Sequence, residues 1–181
     1  MYLNILDNFY KQEDFNFVLT AAMMAPYTSM YQPYQNFNIL SKSHAYKCHQ
    51  TKELTEFDLV TKIFINTFQE KTGKTVKKFH SFFRKIYSSE IDNILKYGMS
   101  PHKDGKNHPI AGIVHFNTYS LEDGTAIFSN NDDADFRQIE PDVVIGSRPN
   151  RCVFYDSQLW HRPLQDKNTE MRLVQPFFLQ V

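Results

Sequence analysis

At 181 residues the chain fits one domain and is long enough to bury a real core. Lysine plus arginine and aspartate plus glutamate each number 20, so the formal charge is zero and a nucleic-acid binder's global cationic footprint is missing. A hydrophobic share of 41% and a charged share of 22% are those of an ordinary globular protein, and the longest apolar run, residues 18–25, is too short to span a bilayer.

Cys48 and Cys152 are the only cysteines, which suits a reducing compartment better than a disulfide framework. Residues 1–7 show no basic segment followed by an apolar run, so no secretory signal is visible. A soluble, cytoplasmic protein is expected. Residues 71–85 carry Lys74, Lys77, Lys78 and Arg84 with no acidic residue between them, which reads as a helix end and the outer face of a strand.

Leu3 and Ile5, followed by Asp7-Asn8, predict a short opening strand and a turn. Residues 11–24 place Phe15, Val18, Leu19 and Ala22 at helical spacing, and Pro26 stops that helix because the residue before a proline resists the helical region. Residues 27–36, with Tyr27, Tyr31, Pro33 and Tyr34, read as an irregular aromatic loop, either a lid or packing. Residues 51–71 give the best helix. Leu54, Phe57, Leu59, Val60, Ile63, Phe64 and Phe68 form its apolar stripe, and Gly73 follows as a C-cap.

From there the period changes from 3.6 to 2. Strands are predicted over 76–87, 110–121, 125–129, 151–155 and 171–181, with Asp123-Gly124 as a hairpin turn and Pro149-Asn150 as a separator. Helices first and strands afterwards, without βαβ alternation, predict an α+β, mostly β architecture: a double-stranded β-helix, or jelly roll, flanked by N-terminal helices. No linker or repeat divides the chain. It reads as a single domain over 1–181, with 1–75 as helical support and 76–181 as the jelly-roll core.

Pro101-His102-Lys103-Asp104-Gly105 contains the chain's only His-x-Asp/Glu. In an extended segment residues two apart share a side, so an imidazole and a carboxylate can grip one ion together. Seven histidines and 20 acidic residues yield about one such pair by chance, so the motif needs company. His161, 57 residues after Asp104, stands just beyond an apolar strand, where it can return to the first pair across a closed sheet. Two histidines and a carboxylate that leave coordination positions open suit non-haem iron(II) and oxygen chemistry. Arg172 follows eleven residues later, within Met171-Arg172-Leu173-Val174. An inward guanidinium there is the right partner for a carboxylate held in bidentate geometry. Zinc is an alternative metal for the same donors, although no His-Glu-x-x-His helix is present. A non-enzymatic jelly-roll binding module is a second alternative.

In combination, Pro101-His102-x-Asp104, the strand ending in Glu122-Asp123-Gly124-Thr125-Ala126-Ile127-Phe128, the segment from Phe154 to His161 and the trailing Arg172 resemble the 2-oxoglutarate and iron(II)-dependent oxygenase superfamily. The nearest likeness is to its prolyl-4-hydroxylase-like branch, over roughly residues 76–181. The resemblance implies iron(II) bound by His102, Asp104 and His161, with 2-oxoglutarate as cosubstrate held at its far carboxylate by Arg172. With O2, such an enzyme would hydroxylate a C–H bond of a peptide or small-molecule substrate, a prolyl residue among them. The chain departs from the branch at Asp123, where a glycine is frequent, at Ala126, where a threonine is, and at Arg172, where lysine is common; other branches place a serine where Val174 stands. A tyrosine hydroxyl is then expected to assist the cosubstrate, Tyr97 first, with Tyr87 and Tyr119 behind it. Trp160 reads as cavity wall or core, Arg162 as a solvent-facing charge, and His115 as a hydrogen-bonded sheet histidine. Asp132, Asp133 and Asp135 read as a solvated turn. Nucleic acid is an unlikely partner on charge grounds, no membrane segment is seen, and the oligomeric state is left open.

Overall fold

The structure, a computed structural model, describes residues 2–32, 46–90, 102–128, 140–166 and 168–181. Strand β1 (Leu3–Leu6) opens the chain, and helix α1 (Gln12–Met24) follows, burying Phe15, Val18 and Ala22 as their spacing requires. Strands β2 (Thr28–Gln32) and β3 (Tyr46–Gln50) pair antiparallel. The first of these lies where an irregular loop was expected. The rest of that aromatic segment, from residue 33 on, lies outside the described residues, as do Asp132, Asp133 and Asp135.

Helix α2 (Leu59–Thr72) starts later than its apolar stripe suggests. The Asp58 carboxylate accepts hydrogen bonds from the Thr55 amide (2.6 Å) and hydroxyl (2.8 Å), closing a turn ahead of the helix. Upstream, the Thr51 amide donates to the Phe83 carbonyl (3.0 Å) and the Leu54 amide to that of Ser81 (2.8 Å), so this segment is tied to the sheet. Gly73 ends the helix at φ 69°, its amide bonded to the Gln69 carbonyl at 2.8 Å. A left-handed residue at this point favours glycine.

Strands β4 (Lys78–Ser81) and β5 (Arg84–Tyr87) replace the single strand expected over 76–87. The break falls at Phe82-Phe83, where the Phe83 amide turns to the Thr51 hydroxyl (3.0 Å). The remaining strands are β6 (Ile110–His115), β7 (Ser120–Phe128), β8 (Val143–Ser147), β9 (Arg151–Asp156), β10 (Trp160–Leu164) and β11 (Met171–Gln180). Asp123-Gly124 is therefore not a hairpin turn; β7 runs through it. Gly124 lies opposite Gly146 of β8, and a Cβ on Gly124 would collide with the Ile145 carbonyl. A glycine inside a strand here marks close backbone approach. Asp123 is fully buried, and its carboxylate accepts hydrogen bonds from the Asp166 amide (2.6 Å) and the Thr169 hydroxyl.

Two sheets result. The larger runs β1-β9-β6-β11-β5-β3-β2, with β4 also paired to β11, and the smaller runs β10-β7-β8. The fold is α+β and mostly β, with residues 1–75 contributing three strands besides their helices. Side chains alternate between the faces of the larger sheet. One face packs on the helices: Phe64 of α2 meets Phe177 (ring centroids 4.7 Å), and Phe68 meets Phe154 (5.2 Å). Burial of each such ring contributes about 1.5–3 kcal/mol. The other face closes on the smaller sheet through Ala111, Val153, Tyr155, Ile127 and Ile145. That inter-sheet space holds the candidate site. Cys48 and Cys152 are both fully buried. Among the described residues no helix is long and apolar enough to cross a membrane.

Candidate metal centre

His102 precedes β6 in an extended segment, and a reciprocal backbone bridge joins it to His161 on β10. The His102 amide donates to the His161 carbonyl (2.8 Å) and the His161 amide to that of His102 (3.0 Å). Two residues on, the Asp104 amide donates to Ser157 O (2.8 Å), and the Gln158 side-chain amide donates to Asp104 O (2.9 Å). Strand β10 and the turn before it thus fix the two ends of the His-x-Asp motif by main-chain bonds. The imidazole rings lie 4.4 Å apart. Asp104 Oδ2 lies 3.4 Å from His161 Nε2, and Oδ1 lies 4.0 Å from His102 Nε2. One potential ligand atom from each of the three residues lies within 4.8 Å of the others, and no other such group of three occurs among the described residues.

Protonation suits a cation. Burial pushes His161 down to about 4, against the opposing hydrogen bond to the Leu159 carbonyl, so its ring is neutral near pH 7. That bond, at 3.0 Å from Nδ1, leaves the Nε2 lone pair facing Asp104. Burial raises Asp104 to about 6, opposed by the charges of His102 and Arg84. A desolvated carboxylate beside a neutral imidazole is a donor set that a divalent cation completes. Side-chain exposure falls from 24% at His102 to 15% at Asp104 and 6% at His161.

Arg172 is wholly buried on the inner face of β11. Its Nη1 donates to Leu164 O and its Nη2 to Gly124 O, both at 3.0 Å, so two carbonyls of the smaller sheet aim the guanidinium. Tyr155 of β9 bridges the two regions. Its ring lies 4.7 Å from that of His161, and burial, then the charge of Asp104, lift its pKa well above the usual value while Arg172 lowers it. Tyr155 and His115 are inner-face residues, Tyr155 being a tyrosine outside the three expected to assist the cosubstrate. The alternation of β6 through Ala111 and Ile113 marks His115 as inward, and that of β9 through Val153 does the same for Tyr155.

The expected tyrosines fare differently. Tyr97 lies outside the described residues. Tyr87 shares the face of Met171 rather than that of Arg172, with its ring edge-on to His49 at 5.3 Å. Tyr119 is 76% exposed beneath Arg148. Trp160 points to the face of β10 opposite His161, with the Lys103 ammonium 4.8 Å from its ring. Arg162 is buried over Phe128, not solvent-facing. His115 is fully buried, but neither ring nitrogen makes a hydrogen bond among the described residues, so it is not the satisfied sheet histidine expected. An unpaired buried polar group of this kind costs about 1–3 kcal/mol.

No family model matches the sequence, and no curated protein matches it significantly. Solved structures do match. A 2OG-Fe(II) oxygenase family oxidoreductase from Burkholderia pseudomallei aligns with a TM-score of 0.65 at 7% identity, over 98% of this chain and 84% of that one. The fold is that of the 2-oxoglutarate–Fe(II) oxygenases. HygX from Streptomyces hygroscopicus, solved with nickel and 2-oxoglutarate bound, has the same oxygenase fold at a TM-score of 0.62 and 9% identity, over 97% of this chain and 81% of its own. A prolyl hydroxylase from Trichoplax adhaerens, in complex with a hypoxia inducible factor oxygen degradation domain peptide fragment, aligns at 0.58 and 10%, over 98% and 82%. At these identities the oxygenase likeness is one of fold, and the chemistry is argued from this chain's own residues.

Proposed function

We propose that this protein is an iron(II)- and 2-oxoglutarate-dependent dioxygenase that hydroxylates a C–H bond of a peptide or small molecule. What carries the reading is the convergence of His102, Asp104 and His161 in a barrel whose interior also buries Arg172. The two imidazoles and the carboxylate would hold the iron, leaving coordination positions for cosubstrate and oxygen. Bound iron and 2-oxoglutarate supply the oxidising chemistry, with succinate and carbon dioxide as coproducts.

The chain's own residues prepare the place. The His102–His161 bridge and the Ser157 and Gln158 contacts fix the donor atoms before any ion arrives. Leu159 O sets the His161 tautomer. Arg172 brings a fixed positive charge into the dry interior, where a carboxylate gains most from it. Tyr155, between the triad and the arginine, walls the space that the cosubstrate would span. A prolyl residue in a peptide is the first substrate to test, since one fold neighbour was solved as a prolyl hydroxylase with a peptide. A reducing cytoplasm, which keeps iron(II) reduced, agrees with a chain whose two cysteines are both buried.

The test is coupled turnover. With iron(II), O2 and 2-oxoglutarate, the protein should release succinate, and a peptide panel containing proline should accelerate it. No binding or turnover of 2-oxoglutarate by the metal-loaded protein would refute the reading. Iron-independent hydrolysis would point to zinc instead.

A further inference from the structure

His115 ends β6, and Ala111, Ile113 and His115 alternate onto the inner face of the larger sheet. In register it lies opposite Val174 of β11 on one side and Arg151 of β9 on the other. Arg172 stands two residues from Val174 on the same face of β11. It is therefore a diagonal neighbour of His115, a relationship that spans roughly 7–8 Å and lies within reach of long side chains.

The imidazole is wholly buried, and both nitrogens lack a hydrogen-bond partner among the described residues. Nearly all buried side-chain polar atoms in folded proteins have such a partner. A leucine here would fill the space without that penalty, so the polar ring needs a reason. Its charged surroundings supply one. Burial first, then the positive charges of Arg172 and Arg151, push the ring's pKa well below the ordinary value and keep it neutral. Arg151 is already committed to Asp7, with Nε at 2.6 Å and Nη2 at 2.9 Å from the two carboxylate oxygens. Arg172 is aimed into the inter-sheet space by two carbonyls. A neutral imidazole has one N–H to donate. An anion beside Arg172 is the ligand that would accept it.

We propose that His115 is a second donor to the far carboxylate of 2-oxoglutarate, sharing that carboxylate with Arg172. This rests on the oxygenase reading and gives an imidazole the place where a tyrosine hydroxyl was expected. The ring nitrogens, without a partner among the described residues, would find one in that carboxylate, a stability cost carried for binding.

The experiment compares two acids on the full chain loaded with nickel(II). Calorimetric titrations use 2-oxoglutarate and 2-oxobutyrate, which has the same keto acid end and no far carboxylate. His115→Leu should weaken 2-oxoglutarate by about 10- to 100-fold, the loss expected of one hydrogen bond to a charged group, and leave 2-oxobutyrate unchanged. His115→Gln keeps an N–H donor and should recover part of the loss. The metal-free His115→Leu protein should also melt no lower than the wild type, because it loses two orphaned polar atoms. Equal weakening of both acids, or no change for either, overturns the assignment of His115 alone. A wild-type protein that binds 2-oxobutyrate as tightly as 2-oxoglutarate, or binds neither acid, overturns the oxygenase reading with it.

Discussion

His102 and His161 exchange two backbone hydrogen bonds, 2.8 and 3.0 Å long, across 58 intervening residues, and their rings consequently stand 4.4 Å apart. Main-chain bonding therefore sets the spacing of the two imidazoles, and their side chains can be removed without dismantling the bridge. His161→Ala and Asp104→Ala should each lower nickel(II) or iron(II) affinity by about 100-fold or more while the fold persists. Calorimetry beside circular dichroism checks this. Wild-type affinity in either variant would remove that residue from the ligand set.

Gln158 acts one layer out. Its side-chain amide bonds to Asp104 O at 2.9 Å and steadies the loop that presents the carboxylate. Gln158→Ala should weaken metal binding by about tenfold, less than loss of a ligand. The same titration reads it, and an effect as large as that of Asp104→Ala would contradict the ranking.

Asp123 holds the β10–β11 connection to β7. With its carboxylate gone, the Asp166 amide and the Thr169 hydroxyl lose their acceptor. Asp123→Ala should cost about 1–3 kcal/mol in urea unfolding. An unchanged midpoint would show that water replaces the carboxylate freely.

Gly124→Ala drives a methyl group into the Ile145 carbonyl, and β7 and β8 must separate to admit it. Overpacking of this kind costs about 1–3 kcal/mol. Because Gly124 O also accepts from Arg172, the variant should bind 2-oxoglutarate more weakly as well as unfold earlier. Denaturant and binding titrations on one preparation test both effects.

The neutral ring of His115 makes stability depend on pH with a definite sign. Its folded pKa lies well below 6.5, so as pH falls through 6.5 the unfolded chain takes up a proton that the folded chain refuses. Stability present above that pH is lost below it, by up to about 1.4 kcal/mol per pH unit. His115→Gln removes this one proton from the balance. Urea titrations of metal-free protein at about pH 7.5 and about pH 5.5 should show the wild type losing more than the variant. Parallel losses would mean that the ring is protonated in the fold.

The convergence of His102, Asp104 and His161 and the burial of Arg172 were legible because their pattern is local or periodic: a His-x-Asp two apart, a histidine after an apolar strand, a cation inside one. Other features depended on partners that the sequence does not announce. Leu54 and Phe57 mimic a helix stripe, yet Thr51 and Leu54 bond to the β4–β5 junction and Asp58 closes a turn on Thr55. Asp123-Gly124 carries the composition of a turn, and only the facing Gly146 and the distant Thr169 reveal a strand position and a buried clip. The strand pattern of β6 marks His115 as a sheet residue, and only its alternation with Ala111 and Ile113 turns it toward the face of Arg172.

The graded exposure from His102 through Asp104 and His161 to Arg172 also dictates traffic. Among the described residues the most exposed of the four is His102, so under the proposed function a small acid bound for the arginine would enter past the triad. A bulky partner resting at that rim would shut the path behind it. On the proposed function, loading would be sequential, the small molecule before the large, and release would run in reverse. An excess of the large partner should slow turnover by sealing molecules whose inner berth is still vacant.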